Sequence, residues 1–159
     1  MVKVIIVTGT PGTGKTTVAK KLAKPLGCRY VDVNQVIAHH KLSEGYDRKR
    51  KCKIIDTKKL NLTLIKLIKA SKEGLVIDSH LSHFLPNKYV DTCIVTRCKL
   101  KTLKRRLTRR GYDKDKIKEN LESEIFEVCL IEAKENKHKI IELNTDKKID
   151  YKKLIKKLK

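Results

Sequence analysis

The segment that decides the fold is Gly9-Thr10-Pro11-Gly12-Thr13-Gly14-Lys15-Thr16. It satisfies the spacing G-x-x-x-x-G-K-[ST], and it stands in the sequence context that this spacing needs. The β-branched run Val2–Thr8 before it predicts a buried parallel strand, and Lys15–Lys24 after it places apolar residues on one helical face. A strand, a glycine loop and a helix in this order predict a phosphate-binding loop.

The residue types in this loop suit the phosphates of a nucleoside triphosphate. Gly12 and Gly14 permit positive φ and let backbone N–H groups approach phosphate oxygens, while the following helix offers its N-terminus to the same anion. Lys15 can span the β- and γ-phosphates. The Thr16 hydroxyl is placed to ligate Mg²⁺, and Thr17 can reach the α-phosphate. A plain strand-to-helix turn would leave the glycines and the lysine unexplained.

A second candidate site residue is the acid that ends the apolar run Leu75-Val76-Ile77-Asp78. In phosphate-loop enzymes such an acid holds Mg²⁺, directly or through water, so we predict a metal site formed by Thr16 and Asp78. His80 follows at the carboxyl end of this predicted strand, where open α/β sheets place their ligands. It is a candidate catalytic residue that would orient a water or a phosphate acceptor. The alternative is a surface histidine without a role.

A third candidate is a basic segment, Arg97–Lys118, which carries eleven Lys and Arg against two Asp. Arg106 and Arg110 are four residues apart on one predicted helix and therefore share a face. Guanidinium groups suit bidentate phosphate contacts, so the pair predicts a clamp that closes on nucleotide phosphates with Gly111 as its hinge. The alternative is a solvated basic helix face.

Strands alternate with helices along the whole chain, which predicts parallel βαβ units in three layers. The polar stretch Lys41–Lys59 interrupts this pattern and predicts a mobile insertion. Asn34 is expected to cap a helix that ends at His40, and Asp113 to begin one that runs to about Lys137. Gly74 is expected to end the helix before it. No repeat or flexible linker divides the 159 residues, so we predict one domain.

The composition is unusual in its large excess of basic over acidic residues. The 39 Lys and Arg residues against 18 Asp and Glu give a formal charge of +21. Such a protein attracts polyanions, which favours nucleotides, nucleic acid or both as partners. The alternative is a lysine-rich solvated surface, although thermophile surfaces of that kind usually balance lysine with glutamate.

The five cysteines are odd in number and form no C-x-x-C pair, so buried reduced thiols fit them better than disulfides or zinc. This favours a reducing, cytoplasmic location. No apolar run approaches the roughly 18 residues of a membrane helix, and no signal-peptide cleavage region stands at the N-terminus. We therefore expect no membrane partner.

Taken together, these motifs resemble the adenylate kinase isoenzyme 6 family, small atypical adenylate kinases also described as ATPases of small ribosomal subunit maturation. The resemblance spans nearly the whole chain, and its most specific segments are R-L-T-R-R-G-Y and E-N-L-E-S-E-I-F. The segments that carry it are the glycine loop extended to Thr17, Glu44–Asp47, Val76–His80, Arg106–Tyr112 and Glu119–Phe126.

The resemblance implies a P-loop fold of the nucleoside monophosphate kinase type, with a five-stranded parallel sheet, helices on both faces and a short lid. It implies Mg²⁺ and ATP as ligands, AMP as acceptor, and accompanying ATPase activity. It further implies a small-subunit ribosomal protein and pre-rRNA as partners. By motif match, the residues that bind ATP phosphates would be Gly12, Gly14, Lys15, Thr16, Thr17 and, from the lid, Arg110.

The same resemblance places a monophosphate-binding insertion at about residues 32–55 and the lid at about residues 109–119. It matches Asp78 and His80 to the family's D-x-H, linked to Mg²⁺ and ATP hydrolysis. Lys15, Asp78, His80 and Arg106 are thus the predicted catalytic residues. One departure is Arg48-Lys49-Arg50-Lys51, where many relatives are acidic; it makes direct RNA contact more plausible and a protein contact through acidic residues less so.

Two further hypotheses stay open beside the kinase. An ATP-switched ribosome-assembly factor would bind a ribosomal protein or pre-rRNA, with kinase activity incidental. A small-metabolite kinase of the shikimate or gluconate type would share the glycine loop, but no other feature of the sequence supports it.

Overall fold

A computed structural model describes residues 1–159, and its centre is a five-stranded parallel sheet of strand order β2-β5-β1-β6-β7. This confirms the predicted three-layer α/β class. Strands β3 and β4 form a separate two-stranded antiparallel hairpin. The strands are β1 (Val4–Thr8), β2 (Cys28–Asp32), β3 (Ser43–Asp47), β4 (Cys52–Ile55), β5 (Gly74–Asp78), β6 (Thr92–Arg97) and β7 (Ile140–Asn144).

Helices cover both faces of the sheet, because its central strands are apolar on both sides. The helices are α1 (Lys15–Ala23), α2 (Val33–His39), α3 (Thr57–Ala70), α4 (Leu100–Arg109), α5 (Lys114–Ile125), α6 (Val128–Glu135) and α7 (Tyr151–Leu158). One apolar core joins α2, α3 and α6 to the sheet, and the other joins α1 and α7 to its opposite face. All five residues of β1 are buried between these cores.

The register of the parallel strands decides where the functional residues meet. Val7 of β1 pairs with Asp78 of β5, and Asp78 in turn pairs with Asp32 of β2. Both acids therefore lie at the carboxyl edge of the sheet, directly beside the loop that leaves β1. This edge is where ligands bind in open α/β sheets.

The segment Lys41–Lys59, predicted to be a mobile insertion, has regular secondary structure along most of its length. The segment contains the β3–β4 hairpin and the first turn of α3, which Asp56 caps through bonds from the Lys58 and Lys59 backbone N–H groups. The hairpin escaped prediction because nearly all of its residues are exposed and show no alternation of apolar and polar side chains. Its tip contacts the start of α5 through ion pairs of Lys51 with Asp113 and of Arg50 with Glu119.

Three helix boundaries differ from the prediction. Asp32, not Asn34, caps α2 by accepting a hydrogen bond from the Asn34 backbone N–H. The helix before Gly74 already ends at Ala70, and Gly74 begins β5 instead. The single helix expected from Asp113 to about Lys137 is two helices, because Glu127 between them adopts a left-handed φ of 53°.

None of the helices combines the length and the apolar composition that crossing a membrane requires.

Candidate nucleotide-binding site

The glycine loop wraps around the start of α1. Gly12 and Gly14 have φ values of 92° and 95°, which residues other than glycine rarely adopt. Gly14 is also the N-cap residue of α1. The loop is fixed from behind by Thr96 of β6, whose hydroxyl lies 2.7 Å from the Thr13 hydroxyl and 3.2 Å from the Thr8 carbonyl oxygen. These hydrogen bonds attach the glycine loop to β6.

The tightest position in the loop is Gly9, which predicts a large effect of a single methyl group. A Cβ there would lie 2.5 Å from Thr96 Oγ1 and 2.7 Å from the Thr96 carbonyl oxygen, at a φ of +146°. We expect Gly9→Ala to lower the free energy of unfolding by about 3 kcal/mol, measured by urea denaturation. Gly27→Ala is the matched control, because Gly27 also has a positive φ but nothing within 4 Å. It should cost about 1 kcal/mol. Equal losses in the two variants would contradict the clash at Thr96.

Lys15 lies at the centre of the site. Its ammonium Nζ donates to the Thr10 carbonyl oxygen at 3.4 Å, so it folds back over the loop that it belongs to. Burial lowers the pKa of Lys15 to about 8, the Asp78 carboxylate opposes this shift, and the nearby Arg110 guanidinium adds to it. A desolvated ammonium in this position is a strong electrostatic partner for a phosphate.

Thr16 and Asp78 meet as the sequence predicted. The Thr16 hydroxyl donates to Asp78 Oδ2 at 2.7 Å, and the Tyr30 hydroxyl of β2 donates to the same oxygen at 2.8 Å. Asp78 is buried, and Oδ1 has no hydrogen-bond donor. The hydroxyl oxygen of Thr16 and the free carboxylate oxygen are hard ligands of the type that Mg²⁺ prefers.

His80 lies near this pair but makes no hydrogen bond. Although the residue as a whole is exposed, desolvation lowers the pKa of His80 to about 4, and the positive charge of Lys15 adds to the shift. His80 is therefore neutral at pH 7, when its ring can accept a hydrogen bond at one nitrogen and donate one from the other. The loop that carries it is anchored by the Ser79 backbone N–H, which donates to the Val7 carbonyl oxygen at 3.1 Å.

The two arginines of the predicted clamp have different environments. Arg106 is half-buried and donates to the Gly12 carbonyl oxygen at 3.3 Å, and to the hydroxyl and carbonyl oxygens of Thr145 at 3.1 and 3.2 Å. It thereby connects the glycine loop to the loop after β7. Arg110 is exposed, and its charge contributes to lowering the pKa of Lys15. Their catalytic and binding roles stay predictions.

A cleft of about 620 Å³ opens between the glycine loop, the end of α4 and the loop after β7. Gly12, Gly14 and Thr17 line one wall. The cationic lining residues are Lys21, Arg106, Arg109, Arg110, Lys147 and Lys148. Because no acidic side chain lines it, the cleft suits a polyphosphate attached to a base or sugar.

Sequence reasoning missed several residues that shape the site. Tyr30 reaches Asp78 across 48 positions of sequence, and Thr145 donates to the Thr13 carbonyl oxygen at 2.7 Å from the far end of the sheet. Glu124 of α5 is buried behind the loop and pairs with Arg97 at the end of β6. Burial raises the pKa of Glu124, and the Arg97 guanidinium opposes that rise. Only Thr96, close to the end of β6, has a strand-end position that could have signalled a role from the sequence.

The residues present fit ATP with Mg²⁺. The loop glycines adopt the positive φ that a phosphate cradle needs, and residues at the α1 N-terminus line the cleft. The Thr16 and Asp78 oxygens are paired, and the Lys15 ammonium interacts electrostatically with Asp78. A five-stranded parallel sheet with this loop at the end of β1 and a hairpin inserted after α2 defines a P-loop protein of the nucleoside monophosphate kinase type.

Comparison with known proteins identifies the family. A family model described as an AAA domain matches residues 5–127. A relative named "Putative adenylate kinase" from Pyrococcus furiosus is 41% identical over 142 residues, which cover 89% of this chain and 74% of the relative. The adenylate kinase isoenzyme 6 homolog of Caenorhabditis elegans is 36% identical over 132 residues, covering 83% and 72% of the two chains. The chain therefore belongs to the family that this model describes, among its adenylate kinase isoenzyme 6 members.

Solved structures agree on the fold. The shikimate kinase of Bacteroides thetaiotaomicron superposes with a TM-score of 0.64 at 15% identity, covering 98% of this chain and 95% of that one. The Acinetobacter baumannii shikimate kinase, in complex with shikimate, gives 0.64 at 15% identity, with coverage of 99% and 91%. At this identity the likeness concerns the fold alone.

Proposed function

We propose that this protein transfers the γ-phosphoryl group of ATP to AMP and releases two molecules of ADP. The observation that carries the proposal is the convergence of Lys15, Thr16 and Asp78 at the mouth of the glycine loop, with Thr16 and Asp78 joined at 2.7 Å. The relatives named adenylate kinase support AMP as the acceptor.

The reaction needs charge neutralisation and in-line positioning more than covalent chemistry. A phosphate oxygen of AMP attacks the γ-phosphorus, the bond from that phosphorus to the bridging β-γ oxygen breaks, and ADP leaves with the electron pair. Lys15 moves from the Thr10 carbonyl to the β- and γ-phosphates, where its charge stabilises the transferring group. When bound, Mg²⁺ would be held by Thr16 and Asp78 and would neutralise further phosphate charge.

The arginines fix the position of the donor nucleotide. Arg106 holds the loop after β7 against Gly12, which shapes the wall of the cleft. Arg110 is free to contact phosphates as the lid segment closes, and Gly111, with a φ of 77°, supplies the bend next to it. Because this lid is short, it excludes water incompletely, so ATPase activity accompanies the transfer.

The test of this proposal is a coupled assay that follows ADP and phosphate with AMP, CMP, GMP or no acceptor. We expect ADP formation to depend on AMP, with slower phosphate release when AMP is omitted. If phosphate release is equal with and without AMP, and no ADP arises from AMP, the transfer to AMP is wrong.

The lowered pKa of Lys15 predicts a pH dependence of ATP capture. Above its pKa of about 8 the free enzyme loses the ammonium charge, so kcat/KM for ATP should fall about tenfold for each further pH unit. At saturating ATP, kcat should hold to higher pH, because bound phosphates favour the charged lysine. In Lys15→Arg, whose side chain stays charged, any residual kcat/KM should show no such decline. A wild-type profile that is flat from pH 7 to 10 would contradict the assignment.

A second candidate function is an ATP-switched factor of small ribosomal subunit assembly. The formal charge of +21 and the exposed, basic hairpin tip Arg48–Lys51 favour it, because both suit an RNA backbone. Binding to a ribosomal RNA fragment should weaken steeply between 50 and 200 mM salt, and reversing the charges of the tip should reduce the slope of that dependence. An affinity that is independent of salt would count against RNA contact.

A further inference from the structure

We propose that Tyr30 is a positioning residue for the metal site: its hydroxyl fixes Asp78 so that one carboxylate oxygen is reserved for Mg²⁺ and its waters. The inference rests on the proposed binding of ATP with Mg²⁺. The observation behind it is that Asp78 Oδ2 accepts two hydrogen bonds, one from the Tyr30 hydroxyl at 2.8 Å and one from the Thr16 hydroxyl at 2.7 Å.

The fold places Tyr30 where it can do this. In the parallel register of β2 and β5, Tyr30 lies opposite Val76, two residues before Asp78 on the same face of the sheet. The tyrosine side chain is long enough to reach two residues along the strand to Asp78. A shorter side chain at this position would not reach the carboxylate. Lys20 lies over the ring with its Nζ 5.5 Å from the ring centroid, which restrains the ring from the α1 side.

The arrangement of donors has a chemical consequence. A metal ligated by the Thr16 hydroxyl oxygen needs the hydroxyl proton to point away from it, and Asp78 Oδ2 receives that proton. With Oδ2 occupied by two donors, Oδ1 is the oxygen that remains for the metal and its waters. Without the Tyr30 hydroxyl, the carboxylate is held at one point only and can rotate, so both oxygens compete for Thr16 and for the metal. Outer partners of this kind often change metal affinity tenfold or more.

The experiment is calorimetric binding of a nonhydrolysable ATP analogue, in Mg²⁺ and in EDTA, to the wild type and to Tyr30→Phe. We expect Kd in EDTA to change less than twofold and Kd in Mg²⁺ to rise about tenfold. In an Asp78→Asn background, Tyr30→Phe should add less than twofold, because its partner charge is already gone. Tyr89→Phe, which removes a hydroxyl remote from the site, is the matched control and should leave both constants unchanged.

Each other outcome overturns the inference. An equal rise in EDTA and in Mg²⁺ would show that Tyr30 only supports the nucleotide pocket, and loss of binding in EDTA would show damage to the fold. No change in either would show that the hydroxyl is dispensable. Because this measurement does not require turnover, a wild type that binds the analogue with Mg²⁺ but transfers nothing to AMP would refute the proposed function and leave the role of Tyr30 intact.

Discussion

Lys15→Met is expected to lower kcat for ADP formation about a thousandfold while the protein stays folded. The ammonium is desolvated, which lowers its pKa to about 8, and it donates to the Thr10 carbonyl oxygen while the charge of Asp78 opposes the shift. Its interaction with phosphate therefore takes place in a medium of low polarity, where a single charge has a far larger effect than in water. Methionine keeps an unbranched side chain, one atom shorter than lysine, and removes the charge.

The measurement is single-turnover transfer from ATP to AMP, with thermal melting of the same samples. Lys24→Met is the matched control, because Lys24 follows the end of α1, is exposed and lies outside the cleft. It should keep wild-type kcat. A comparable loss of kcat in the two variants would mean that the loss comes from a disturbed α1 helix and not from removal of the Lys15 ammonium. Unchanged activity in Lys15→Met would refute the phosphate-loop assignment and with it the proposed transfer.

The parts of the site that could be predicted from the sequence are those in which chemistry and geometry are local. The glycine loop is one contiguous segment, and its neighbours are a buried strand and an amphipathic helix, so its conformation follows from eight residues and their flanks. Asp78 could be predicted because it ends an apolar strand, and a parallel sheet brings such ends together. The structure joins Asp78 to Thr16 at 2.7 Å as that argument requires.

The parts that could not be predicted depend on register between distant segments. Tyr30, Thr96 and Thr145 reach the site from three strands or strand ends, and each contact is fixed by which residue of one strand lies opposite which residue of another. The break between α5 and α6 contains no glycine or proline that would have predicted it. The residue with the left-handed conformation there is Glu127. The hairpin after α2 buries little, so no periodicity marks it.

Arg106 illustrates how the fold can change the meaning of a correct observation. The sequence places Arg106 and Arg110 on one helix face and predicts a clamp that closes on nucleotide phosphates. In the structure, the Arg106 guanidinium donates to the carbonyl oxygens of Gly12 and Thr145. Of the two arginines in the clamp predicted from the sequence, Arg106 is therefore already hydrogen-bonded within the protein. Arg110 is the one that we propose contacts the nucleotide.

Asp78→Asn is expected to lower kcat about a hundredfold at a saturating Mg²⁺ concentration and to raise the Mg²⁺ concentration needed for half-maximal activity. The reason lies in the two donors on Oδ2. Asparagine must keep its carbonyl oxygen toward the Thr16 and Tyr30 hydroxyl groups, because its amide nitrogen cannot accept their hydrogen bonds. Its NH₂ group is then turned toward the metal position. The variant thus loses a negative charge and also presents a donor where a ligand is required.

The measurement is ADP formation from ATP and AMP over a range of Mg²⁺ concentrations. Asp150→Asn is the matched control: Asp150 caps α7 by accepting from the Lys153 backbone N–H, and asparagine caps a helix equally well. That variant should retain wild-type kcat and Mg²⁺ dependence, although it also loses one carboxylate charge. If Asp78→Asn kept its activity at every Mg²⁺ concentration, the carboxylate would have no part in holding the metal. The site would then have to hold Mg²⁺ through Thr16 and the phosphates alone.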